Sequence, residues 1–194
     1  MSYVCEEARK NVRVPLLNAG THNPDTALAL IESGNADFVM MGRAMIADPE
    51  LPNKLLEGRR EDVRPCLRCN EYCIGRIWNY HTKLSCAVNP QAMEEVRFQI
   101  CKTDSPKNVV VIGGGPGGLE AARVAAIEGH KVTLFEKSGR LGGVMGAICT
   151  ASFKANIAAF TKWYEVQLEK LGVDVQLNTE ITGNEEILAS CDRI

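Results

Sequence analysis

No stretch of this chain approaches the ~20 consecutive apolar residues that span a bilayer, so none of its 194 residues reads as a membrane helix. The opening "MSYVCEEARKNVRVP" lacks the apolar centre of a secretory signal. A large charge of one sign is missing too. The 22 basic and 24 acidic residues leave a net charge of -2, which implies neither nucleic acid nor an acidic surface as partner. Runs such as "LEGRRED" mix both signs and read as solvated surface. Internal repeats and low-complexity tracts are absent. A chain without an export signal is expected in a reducing cytoplasm, where its eight cysteines read first as metal ligands or buried thiols. A disulfide staple is the weakest reading there.

What is present is a core-forming composition, 45% hydrophobic, in an alternating α/β order. Val12 to Leu17 is a β-branched and apolar run ending in "NAG". "NPDTALALIESG" has the marks of a short helix, with Asn23 as N-cap, Pro24 in the first helical position and Gly34 as terminator. "ADFVMMG" reads as a strand buried on both faces of a parallel sheet, and "DPELPNKLLEGR" as another helix. An aromatic, polar and aperiodic cysteine segment follows. The polar, Ser-Pro-containing "ICKTDSPKN" is the best boundary. Beyond it stand a strand "NVVVIGGG", a helix "PGGLEAARVAAIEG" and a strand "KVTLFE". Ile157, Phe160, Tyr164, Leu168 and Leu171 then recur at helical spacing, Gly172 ends that helix, and "VDVQL" forms a further strand.

Gly113, Gly115 and Gly118 in "VVVIGGGPGGLEAA" make a G-x-G-x-x-G pattern between strand and helix, and a second strand ends in Glu136. A lone pattern of this kind can be a simple glycine-rich turn. In this context it is the dinucleotide fingerprint: the first glycine for a tight turn, the second for pyrophosphate approach, the third for close helix–strand packing, and the acid for the ribose hydroxyls. The helix N-terminus offers unpaired N–H groups and positive dipole to phosphates. The continuation "EKSGRLGG", with Gly142 and Gly143, resembles FAD-binding flavoprotein domains more than simple NAD dehydrogenases.

In "RPCLRCNEYC", Cys66, Cys69 and Cys73 crowd one decade, and Cys86 follows in "LSCAVNP", giving C-x2-C-x3-C-x12-C. Structural zinc sites of four cysteines usually pair two C-x-x-C knuckles, and the second is missing here. Three close thiolates and one distant one suit a 4Fe–4S cluster, while His81 keeps a Cys/His zinc site open. Arg64, Arg68 and Arg76 could lower the thiol pKa values or be plain surface charges. Cys5, Cys101, Cys149 and Cys191 are scattered and read as small buried hydrophobes.

The order of these motifs resembles the multidomain NADH:flavin oxidoreductases, the group of 2,4-dienoyl-CoA reductase, 2-enoate reductase and trimethylamine dehydrogenase, with a barrel related to old yellow enzyme. The motifs are "ADFVMMGRAMIADPELPNKLLEGRREDVRPCLRCNEYC", then "CAVNP", then "VVVIGGGPGGLEAARVAAIEGHKVTLFEKSGRLGG". The resemblance runs from about Val12 onward and decides the cysteine question for iron–sulfur. It implies an α/β fold in three parts. Residues 1–62 would be the C-terminal end of an FMN-binding (β/α)8 TIM barrel, 63–100 the 4Fe–4S segment, and 101–194 a truncated Rossmann-like FAD/NAD(P)-binding domain.

Carried over by residue, Val12–Gly20 resembles the seventh barrel strand with its loop and Ala36–Arg43 the eighth, so Gly20, Gly42 and Arg43 match FMN-phosphate positions, with Arg43 expected to supply charge-assisted bonds and the glycines close backbone contact. Cys66, Cys69, Cys73 and Cys86 match cluster ligands, and Gly113, Gly115, Gly118, Glu136 and Gly143 match FAD positions. The resemblance implies that NAD(P)H reduces FAD, that electrons pass singly through the cluster to FMN, and that an activated C=C bond of a small enoate or enoyl-CoA is reduced. No catalytic acid is expected here, since His22, His81 and His130 have no evident partners and the substrate-protonating residues belong to barrel strands without counterpart in this segment. The chain therefore reads as part of a larger enzyme, inactive alone. The competing readings are a zinc-braced nucleotide-binding module without redox activity and an amine dehydrogenase of the same family.

Overall fold

Asn23 shows how local chemistry starts an element in this chain. Its side chain accepts from Thr26 N at 2.9 Å while the Thr26 hydroxyl serves the Asn23 backbone N–H, a reciprocal cap that satisfies two orphan donors. Pro24 follows in the first helical turn, and Gly34 ends the helix region with φ +70. The structure, a computed structural model, describes residues 2–20, 22–183 and 185–194. It divides into two compact units, 1–58 with 63–93, and 59–62 with 94–194.

The first unit contains helix α1 (Ser2–Asn11), strand β1 (Leu17–Ala19), α2 (Pro24–Glu32), strand β2 (Phe38–Met40), α3 (Gly42–Ala47) and α4 (Leu51–Leu56). β1 and β2 pair in parallel with Leu17 opposite Phe38 and Ala19 opposite Met40. The strand expected from Val12 begins only at Leu17. Pro15 lacks a backbone N–H and cannot donate to a ladder, and residues 12–16 form an irregular link between α1, which ends at Asn11, and β1. The expected burial of "ADFVMM" on both faces is not found: Phe38 and Met40 are 58% and 53% exposed. Leu30 and Ala36 are buried with Cys5, and Val39 packs against them.

The cysteine segment packs in this same unit. A π-helical turn, Glu71–Gly75, runs into α5 (Arg76–Tyr80).

In the second unit β3 (Asn108–Ile112), β4 (Lys131–Phe135) and β5 (Asp174–Gln176) form a parallel sheet in the order β3-β4-β5. Helix α6 (Pro116–Glu128) joins the first two strands and buries Leu119, Ala122, Arg123 and Ala126, one stripe at i, i+3, i+4 and i+7. A short α7 (Met145–Ile148) precedes the long α8 (Ala155–Lys170), which buries Phe160, Trp163, Tyr164 and Leu168 in the same way. Leu119, Leu134 and Leu168 are fully buried, each stabilising the unit by roughly 1.5–3 kcal/mol. After α9 (Glu186–Ser190) the chain returns to β3, where Val110 N donates to Arg193 O at 2.9 Å. Among the described residues no helix is long and apolar enough to cross a membrane.

Candidate functional site: a thiol pocket and a glycine-lined turn

Cys66, Cys69, Cys73 and Cys86 line one pocket, with Ile46, Leu67 and Val88 among its apolar walls. The twelve-residue gap before Cys86 is a compact excursion with pinned ends. Gly75 N donates to Asn70 O at 2.8 Å, the π-type bond that opens it. His81 takes the left-handed region, φ 48, to end α5, and Thr82 N bonds back to Arg76 O at 3.2 Å. Arg76 Nε holds Lys83 O at 3.1 Å and Ser85 N holds Tyr72 O at 2.9 Å, so Cys86 is brought back beside Cys73. His81, the alternative ligand, is exposed and does not line the pocket.

Both ends of the segment are braced by groups that the sequence did not single out for this role. Asp48 is buried, and one of its oxygens accepts from Arg64 N at 2.8 Å and from Lys54 Nζ at 2.7 Å. Buried Arg64 donates to Val88 O at 2.9 Å, and Asn89 Nδ2 donates to Ile46 O at 2.9 Å. Removing one partner would leave a buried charge uncompensated. The only sequence signal was polar residues flanking the cysteines, which resembles ordinary surface.

Burial pushes the Cys66 thiol up in pKa, and nearby Cys86 and Cys69 add to this against the Arg68 N–H and the Arg43 guanidinium. Burial likewise raises Cys86, helped by Cys69 and Cys73 and opposed by the Val88 and Asn89 N–H groups. Cys66 is thus influenced by Cys69 and Cys86, and Cys86 by Cys69 and Cys73. The arginines therefore do not lower these two thiols overall, because desolvation outweighs them, and Arg64 is occupied with Val88 and Asn89.

Among the described residues no three His, Cys, Asp or Glu side chains are grouped tightly enough to ligate one metal ion. The other cysteines differ among themselves. Cys5 is buried and accepts from Asn18 Nδ2, Cys149 and Cys191 are half-buried, and Cys101 is exposed, contrary to its reading as a core residue.

Gly20 and Gly42 follow the C-terminal ends of β1 and β2, whose parallel register puts Ala19 beside Met40. A Cβ at Gly42 would meet nothing within 4 Å, so the backbone there is open to approach. Arg43 turns elsewhere: its guanidinium donates to Asn70 Oδ1 and lines the thiol pocket. His22 has a partner after all, its Nε2 lying 2.6 Å from Asn18 Oδ1. Burial, then Arg68, lowers the His22 pKa.

In the second unit the three glycines lie in and just after the turn that joins β3 to α6. Gly113 adopts φ +101 and its N donates to Phe135 O at 2.7 Å. A Cβ at Gly115, the N-cap of α6, would meet nothing. A Cβ at Gly118 would lie 2.0 Å from Gly113 O, so helix and turn meet there with no room for a side chain. Buried Glu136 accepts from Gly114 N at 2.7 Å, from Ser138 N at 2.8 Å and from the Ser138 hydroxyl at 2.7 Å. The Ser138 N–H, then its hydroxyl, hold the carboxyl below its usual range against burial. Three of its about four acceptor positions are thus used in shaping the turn. Gly142 N bonds Gly114 O at 2.8 Å, and Gly143 approaches the Gly115 backbone, so "RLGG" folds back over the fingerprint.

Residues 2–62 match the NADH:flavin oxidoreductase / NADH oxidase family, and residues 108–182 match the FAD dependent oxidoreductase family. Cinnamate reductase of Clostridium sporogenes is 46% identical over 89% of this chain and 26% of its own length. N,N-dimethylglycine/sarcosine dehydrogenase of Chromohalobacter salexigens is 41% identical over 87% of this chain and 25% of its own length. The solved structure of 2-naphthoyl-CoA reductase with 2-naphthoyl-CoA superposes at a TM-score of 0.92 with 33% identity, over 98% of this chain and 29% of that one. The chain thus spans about a quarter of the length of the curated relatives it matches. With a flavin-enzyme family matched on either side of the cysteine segment and one structure followed almost throughout, the chain belongs to the NADH:flavin oxidoreductase family.

Proposed function

We propose that this chain carries the electron-relay portion of an NAD(P)H-dependent flavin and iron–sulfur oxidoreductase. The observation that supports it most directly is the single pocket lined by Cys66, Cys69, Cys73 and Cys86. Those thiols would hold a 4Fe–4S cluster, each as thiolate. Gly113, Gly115 and Gly118 with Glu136 and Gly143 would hold the ADP portion of FAD, the glycines by backbone approach and Glu136 through its remaining acceptor position on a ribose hydroxyl. Gly20, Gly42 and the Arg43 backbone would receive the FMN phosphate. Together these groups would supply carriage of two electrons from NAD(P)H to an activated C=C bond, one electron at a time through the cluster.

The work of the protein is positioning. Asp48, Arg64 and Asn89 fix the ends of the thiol segment, Ile46, Leu67 and Val88 keep water from one side of the pocket, and Glu136 holds the nucleotide turn. The substrate reading, a small enoate or enoyl-CoA, rests on cinnamate reductase and 2-naphthoyl-CoA reductase. A second reading, amine oxidation, is favoured by the dimethylglycine/sarcosine dehydrogenase.

Anaerobic reconstitution of the chain with iron and sulfide tests the relay. The expected result is about four iron and four sulfide per chain with broad visible absorbance, lost in Cys69→Ser. Uptake of one zinc in place of iron and sulfide would instead favour the zinc-braced module.

A further inference from the structure

Arg43 follows the glycine at the end of β2, a position that would turn its backbone toward a phosphate, yet its side chain does something else. The guanidinium lines the thiol pocket and donates to the Asn70 side chain, between Cys69 and Cys73. Asn70 holds the left-handed region at φ 59, a conformation in which asparagine is favoured among non-glycine residues, and its carbonyl anchors the π-turn through Gly75 N at 2.8 Å. A half-buried, permanently charged cation is thus fastened beside four thiols by a residue of the thiol segment itself. An ordinary surface arginine would be neither fastened nor turned inward.

We infer that the Arg43 side chain, clamped by Asn70, raises the reduction potential of the group held by the four thiols, apart from any part its backbone takes in phosphate binding. The inference rests on the reading of those thiols as cluster ligands. Reduction by one electron adds a negative charge inside the pocket and breaks no bond to the protein. A guanidinium at the pocket wall stabilises the reduced form more than the oxidised one, because attraction grows with charge and the partly buried wall screens it less than water does. Net charge and hydrogen bonding near the sulfurs are what set such potentials. The N–H groups aimed at sulfur, Arg68 N to Cys66 Sγ at 3.4 Å and those of Val88 and Asn89 to Cys86, act in the same direction.

The test is a redox titration of the reconstituted chain with dithionite, followed by electron paramagnetic resonance and run without flavin, so that a phosphate role cannot contribute. Arg43→Gln should lower the midpoint potential by about 59 mV, a tenfold change in the one-electron equilibrium, with iron content and visible spectrum unchanged. Arg43→Lys keeps the charge and should stay near the wild type. Asn70→Asp keeps the arginine but neutralises it in an ion pair, and should lower the potential like Arg43→Gln. If Arg43→Gln loses its cluster, Asn70→Asp decides. An intact cluster at the wild-type potential in either variant overturns the inference. A wild-type chain that takes up no iron and sulfide overturns the cluster reading as well, and the iron assay tells the two failures apart.

Discussion

The two units are both parallel α/β pieces, yet they differ in how well they bury themselves. In the second, β3 and β4 pair over five residues, and Leu119, Leu134 and Leu168 are fully enclosed by α6, α8 and the sheet. In the first, β1 and β2 pair over three residues, and Leu17, Phe38 and Met40 stay exposed. The physical difference is closure. A β-α-β unit with a long crossover helix covers its own sheet, whereas parallel barrel strands require neighbours on each edge and helices outside. The second unit also binds its elements by specific polar contacts. Trp163 Nε1 donates to Asp62 O at 2.9 Å, and Lys170 bonds Asp62 Oδ1 at 2.8 Å.

The sharpest way to break the contrast is at Gly118. Gly118→Ala places a methyl where Gly113 O already stands at 2.0 Å, against backbone that cannot swing aside. It should cost about 3 kcal/mol or more, at or above ordinary overpacking, and should abolish ADP binding by calorimetry. Gly42→Ala, with nothing within 4 Å, should move the urea midpoint little. Comparable losses in both would mean that close packing does not separate the units.

Next in size is the core. Leu134→Ala should destabilise the second unit by about 2–5 kcal/mol. Phe38→Ala, at an exposed position, should change stability within about 0.5 kcal/mol and reduce binding of a hydrophobic dye. A large loss from Phe38→Ala would show that the first unit is enclosed in solution.

The smallest effect concerns Glu136. Its carboxyl is held below the ordinary value of 4.5, chiefly by the Ser138 N–H and hydroxyl. The stability it contributes is therefore fully present above about pH 4.5 and is lost as the pH falls through the lower folded-state value. Glu136→Gln should remove roughly 1.5–3 kcal/mol at neutral pH, the worth of hydrogen bonds to a charged group, and flatten the acid limb of a stability–pH curve. It should also weaken ADP binding. An unchanged acid limb would remove Glu136 as the organiser of the turn.

Sequence legibility followed the range of the interactions. The Asn23 cap, the fingerprint glycines and the α8 stripe depend on residues three to five apart, and each was readable. Helix α3 was missed because Gly42 opens it without a side-chain cap, and α1 because few of its residues are apolar. The strand at "ADFVMM" was readable, but its burial was not, since burial depends on which neighbours surround it. His22 looked isolated because its partner Asn18 lies in β1, and Cys101 looked like core because a thiol's burial cannot be read from its spacing.

By itself the sequence determined the two parallel α/β pieces, the glycine-lined turn and the spacing of the four thiols, because glycine conformation, helix caps and cysteine spacing act locally. Only the tertiary structure decided that Arg43 faces the thiols, that Asp48 and Asn89 brace them, and that Glu136 spends most of its acceptors on Gly114 and Ser138. Each of these joins groups distant in the chain or sets the direction of a flexible side chain. That direction is chosen by where burial leaves a polar group its partner.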